Sequence, residues 1–154
     1  MSTQLSNQQV GKEMFEQLEG TFEQVNGIYL DRGTSLLDTL SALNASEASK
    51  PLTNHGASIA GHVAHVRFYL NVMTKYMAGE RDQRPDWMQS WLVREVNESE
   101  WIKLRSDLRD DYQKIRAAWQ ADHDWGAEDQ LGTAVAISLH TSYHLGPIRQ
   151  IAKP

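Results

Sequence analysis

Residues 57–78 read ASIAGHVAHVRFYLNVMTKYMA. Within them Ile59, His62, Val66, Leu70, Met73 and Met77 recur at intervals of 3, 4, 4, 3 and 4. That period keeps one side of an α-helix apolar and does not fit the two-residue alternation of a half-buried strand. Gly79 then ends the segment. The same arithmetic repeats downstream. Trp101, Leu104, Leu108, Tyr112, Ile115 and Trp119 follow Asn97, a residue suited to cap a helix, with Glu98 and Glu100 where the helix dipole favours negative charge. In the last segment, residues 131–151, Ile137, His140, His144, Ile148 and Ile151 are spaced 3, 4, 4 and 3. Upstream, Met14, Phe15, Leu18, Phe22, Val25 and Ile28 predict a helix over residues 8–44, kinked or broken at Gly33 before Leu36, Leu37 and Leu40.

The connections are read from what remains. A loop lies around Pro51, and the polar run ADHDWGAED, residues 121–129, is another. Residues 80–96, with Pro85, Trp87 and Trp91, are long for a helix–helix connection; they have room for a short helix or for a cover over one end of the core. The pattern predicts an all-α fold, a four-helix bundle formed as a single domain over residues 1–154.

Composition narrows the function. Fifteen Lys and Arg against twenty Asp and Glu give a net charge of −5, so nucleic acid and anionic membrane surfaces are not expected partners. The N-terminal residues MSTQLSNQQVGKEMF carry no apolar export segment, and a cytoplasmic location is expected. There is no cysteine, which excludes disulfides, thiolate metal sites and a thiol nucleophile. Metal or acid–base chemistry therefore falls to the carboxylates and to six histidines: His55, His62, His65, His123, His140 and His144.

Four residues are about 400° of helical rotation, so His140 and His144 lie one above the other on the stripe that faces the core. His62 falls on the core stripe of its own helix. Three imidazoles from two helices thus point into one interior, and His62, His140 and His144 are the expected ligands of a divalent metal. Stacked uncharged imidazoles on a core face cost free energy unless paired, and one ion satisfies their lone pairs together. Three ligands leave coordination positions for water or substrate. Each histidine taken alone also reads as a hydrogen-bonded core residue.

His65 lies one turn along from His62, on an adjoining stripe with Gly61, Phe68 and Val72. It reads as a residue at the boundary or supporting the ligands from behind, with a metal ligand as the alternative, and it is the nearest candidate for a general base. His55 and His123 are expected to be exposed. Trp101 and Trp119 fit the core, whereas Trp87 and Trp91 are placed to line a pocket mouth. The charges of the third helix, Lys103, Arg105, Asp107 and Arg109–Asp111, read as a solvated face. HExxH, ExxH, GxGxxG and GxSxG motifs are all missing, so zincin, di-iron carboxylate, dinucleotide-binding and α/β-hydrolase chemistries are not expected.

The segments IAGHVAHVRFYLNVM and SLHTSYHLGPIRQI resemble the DinB-like (DinB/YfiT) superfamily. The match covers about thirty residues, and the order of four helices agrees with it. The family's motif positions are His62, His140 and His144 here. The resemblance implies an up-up-down-down bundle with one long crossover, a divalent metal held by three histidines, and a homodimer. It also implies activity as a thiol-dependent S-transferase or metal-dependent hydrolase acting on a small molecule. Zinc or nickel is the expected metal, with manganese and iron as alternatives. The chain departs from the family at Pro147, where Gln is common. Proline there frees the Tyr143 carbonyl and is expected to kink or end the helix after His144.

Two other functions fit the same residues. One is a non-catalytic, metal-stabilised structural or stress-response homodimer. The other is a metal-free bundle whose cavity binds a small ligand. Because the chain has no cysteine, any thiol must come from a cosubstrate, a low-molecular-weight thiol.

Overall fold

The computed structural model describes residues 5–120 and 123–152. These residues form an all-α protein. Its helices are α1 (Asn7–Phe22), α2 (Leu36–Ser41), α3 (Ala45–Ala48), α4 (Ile59–Met77), α5 (Glu98–Gln120) and α6 (Gln130–Ala152), with a 3-10 helix at Trp87–Trp91. An isolated bridge pairs Pro51 with Ser58. Among the described residues no helix is long and apolar enough to cross a membrane.

Local sequence sets the helix starts. Ser6 with Gln9, Asn44 with Glu47, and Asn97 with Glu100 each exchange side-chain and backbone hydrogen bonds, so α1, α3 and α5 begin on reciprocal caps. The Ser58 hydroxyl accepts from the Gly61 N–H at 3.1 Å and donates to the Arg94 carbonyl at 2.6 Å. One side chain thus caps α4 and fastens the α4–α5 connection to it.

The four long helices bury the predicted stripes. α4 and α1 each pack against both α5 and α6. Leu18, Phe22, Ile59, Val66, Leu70, Trp101, Leu108, Tyr112, Ile137 and Ile148 form the core between them. Phe22 stacks on Tyr112 with ring centres 5.0 Å apart, and Trp101 donates its indole N–H to the Leu43 carbonyl at 2.7 Å. The indole satisfies its one polar group while its carbon surface fills the core.

Four expectations need correction. The predicted helix over 8–44 is two helices, α1 and α2, separated by an irregular segment. Backbone geometry leaves the helical range at Glu23 (φ −123°), and Gly33 takes φ +73°, a left-handed value that suits glycine. Ser35 then restarts the chain: its hydroxyl donates to the Glu23 carbonyl at 2.9 Å and accepts from the Asp38 N–H. Val25 remains in the core from this irregular segment, but Ile28 is fully exposed.

The second correction concerns Pro147, which does not end α6; the helix runs on to Ala152. Third, the α5 charges are not all solvated. Asp111 is buried against Arg67 of α4, with Nε–Oδ2 at 2.8 Å, and Arg67 also reaches Asp107 at 3.0 Å. Fourth, His123 is half-buried, its ring 4.4 Å from that of the buried Trp125. In the predicted 121–129 loop, residues 121 and 122 lie outside the described residues.

Candidate metal centre

α4 carries His62 and His65, and α6 carries His140 and His144. The two helices pack against each other, so all four imidazoles meet at their interface. Ring centres are 4.6 Å apart for His140 and His144, 4.7 Å for His65 and His144, and 5.1 Å for His65 and His140. One ring nitrogen from each of His65, His140 and His144 falls within 4.8 Å of the others. His62, the third ligand expected from spacing, stands beside this group. Its Nδ1 is 3.0 Å from Nδ1 of His144.

The 3-10 helix of the long connection closes the site. Trp91 stacks on His65 with ring centres 4.0 Å apart and planes 15° from parallel, and its edge meets His62 at 5.6 Å. Tyr69 stacks on His140 at 3.7 Å. Trp87 sits beside His65, Phe68 and Tyr69. Trp87 and Trp91, expected to line a pocket mouth, pack directly on the histidine rings. His65 and His144 are buried, and His62 and His140 are half-buried.

Burial accounts for the buried position of His65, which helical counting put on a neighbouring stripe. α4 is covered by α5 and α6 and, in addition, by the 3-10 helix. Its buried face is therefore wider than the single stripe of a helix packed on one side. The signal available in the sequence was the pair of tryptophans in an otherwise polar connection, which had to pack on something.

The hydrogen bonds leave a defined set of free nitrogens. His65 Nδ1 lies 2.7 Å from Ser90 Oγ, and His144 Nδ1 is committed to His62. His140 Nε2 is buried with no partner among the described residues. An orphaned imidazole nitrogen in a nest of other imidazoles is one that a bound cation would satisfy.

Electrostatics keep the cluster neutral. Burial, reinforced by the neighbouring His65, lowers His140 to about 4. Burial and then His140, His65 and His62 lower His144 to about 3. Burial lowers His62 and His65 as well. Near pH 7 these rings therefore carry lone pairs rather than charges, the state that ligates a metal. All-imidazole donors suit zinc, nickel, copper or iron and do not by themselves choose among them. Compared with family models, curated proteins and solved structures, the chain matches none.

Proposed function

We propose that this chain is a DinB-like, divalent-metal-dependent enzyme of the S-transferase or hydrolase type, built as a four-helix bundle in which residues 78–97 are the crossover between parallel α4 and α5, with α1 and α6 running the opposite way, in place of the expected up-up-down-down order. His65, His140 and His144 are its ligands, with His62 bound to His144 behind them. The observation that carries this reading is the unpartnered His140 Nε2 buried among three other neutral imidazoles. The order of helix packing and the long connection seated on α4 support the bundle.

A divalent ion held by His65, His140 and His144 would supply Lewis acidity to a water or to the sulfur of a thiol cosubstrate. The protein's own contribution is positional. Trp91 and Tyr69 fix the planes of His65 and His140 by stacking and keep water from their faces. One proton is shared between Nδ1 of His62 and Nδ1 of His144, so one ring donates to the other. No cysteine is present, so the attacking sulfur of a transferase reaction belongs to the cosubstrate. The homodimer belongs to the same proposal, and light scattering of the purified protein checks it.

Burial of His65 and His144 favours a second function, a metal that ties α4 to α6 without turnover. Tag-free, metal-stripped protein titrated with zinc, nickel and manganese tests both. One equivalent is expected to bind, and His140→Ala is expected to weaken binding at least about 100-fold. Uptake below about 0.1 equivalents of every metal would overturn the metal centre altogether. If metal binds but neither thiols with electrophiles nor esters and amides turn over, the tie between helices is the function that stands.

A further inference from the structure

Ser90 is a buried serine in the 3-10 helix, remote in sequence from every histidine of the cluster except through its fold. Its Oγ lies 2.6 Å from the Trp87 carbonyl oxygen and 2.7 Å from His65 Nδ1. Two oxygens approach to 2.6 Å only with a proton between them, and a carbonyl has none to give. The single hydroxyl proton of Ser90 is therefore spent on Trp87. Towards His65 the hydroxyl offers only a lone pair, so His65 Nδ1 must be the donor. A neutral imidazole protonated at Nδ1 carries its lone pair on Nε2.

We infer that Ser90 is a positioning residue for the metal centre: the chain Trp87 C=O, Ser90 hydroxyl, His65 Nδ1–H fixes the His65 tautomer and aims its Nε2 at the ion. The inference rests on the proposed metal centre for its consequence, but the tautomer itself belongs to the metal-free protein. Trp91, stacked on the same ring, fixes its plane, while Ser90 fixes its proton. It also gives the 3-10 helix a part in the site beyond covering it. Donor groups behind metal-bound histidines commonly set ligand orientation and basicity, and their loss costs about 10–100-fold in metal affinity.

The test has two arms on the full chain. In metal-free protein labelled with 15N at histidine, the ring-nitrogen shifts of His65 are expected to report a proton on Nδ1 and a lone pair on Nε2. Ser90→Ala is expected to mix the tautomers, and Ser90→Thr, which keeps the hydroxyl, to restore them. In the second arm, Ser90→Ala is expected to weaken zinc binding about 10–100-fold, with the cobalt-substituted ligand-field spectrum altered and Ser90→Thr near wild type. The metal-free melting temperature is measured in parallel, to separate a folding defect from a loss of affinity. A wild-type His65 protonated at Nε2 would overturn the inference while leaving the metal centre intact, and so would equal zinc affinity in wild type and Ser90→Ala. Failure of the wild type to bind zinc would instead remove the metal centre, and with it the consequence for Ser90.

Discussion

At the scale of single residues, the imidazoles hold both stability and chemistry. Burial lowers His144 to about 3 and His140 to about 4, whereas an unfolded histidine titrates near 6.5. The folded protein thus binds fewer protons than the unfolded chain once the pH falls below about 6.5, and stability must fall with it until the folded values are reached. In metal-stripped protein, urea unfolding at pH 5.5 against pH 7 is expected to show a loss of about 1 kcal/mol from His144 and less from the half-buried His140. A variant lacking both rings should lessen the dependence across that window, leaving the part that His62 and His65 contribute. A stability that is flat from pH 7 to 5.5 in the wild type would contradict the burial of these rings.

His140 and His144 were legible in the sequence because a spacing of four on an apolar stripe survives any packing arrangement. His65 was not, because its burial depends on residues 87–91, whose path no periodicity encodes. Asp111 was hidden for the same reason. It borders Tyr112 on α5, and only the approach of Arg67 from α4 turns a surface charge into a buried pair.

Among the elements, the connection between α4 and α5 decides whether the site exists. It lies so close to α4 that a Cβ added at Gly61 would sit 2.8 Å from the Val93 carbonyl oxygen. Gly61→Ala gains about 1 kcal/mol of helix propensity but forces backbone from backbone, a cost of about 1–3 kcal/mol. The net expectation is a lower urea midpoint, together with a changed tryptophan emission spectrum as the connection carrying Trp87 and Trp91 shifts. A more stable Gly61→Ala protein would show that the connection is not seated on α4. The existence and extent of α4, α5 and α6 were readable from period alone. The break after Phe22 was not, because Val25 and Ile28 continue the helical spacing while the chain leaves helical geometry at Glu23. Ser35 and Asn44 mark the restarts, and both are cap residues that the apolar pattern overrides when it is read alone. Pro147 misled in the opposite direction. A proline costs an isolated helix about 3 kcal/mol, yet the buried Leu145 and Ile148 on either side hold α6 in its packed course.

Taken as a whole, the molecule places an uncharged polar cluster between two long helices and closes it with a tryptophan-bearing connection. α6 shows this arrangement in its composition. Its inner face is shared between isoleucines and histidines, while Leu131, Val135, Leu139 and Tyr143 lie exposed on the outside. The all-α character was legible because each long segment repeats at helical spacing. The assembly of four histidines was only half legible, since it needs the register of α4 against α6, and that register is fixed by core residues far apart in the chain. The central claim is that these rings hold one divalent ion. X-ray absorption at the zinc edge of the loaded full-length protein tests it most directly. The account predicts about three imidazole nitrogens at about 2.0–2.1 Å, completed by a light exchangeable atom, with one imidazole lost in His140→Ala. Zinc coordinated by oxygen alone, or a spectrum unchanged in His140→Ala, would contradict it.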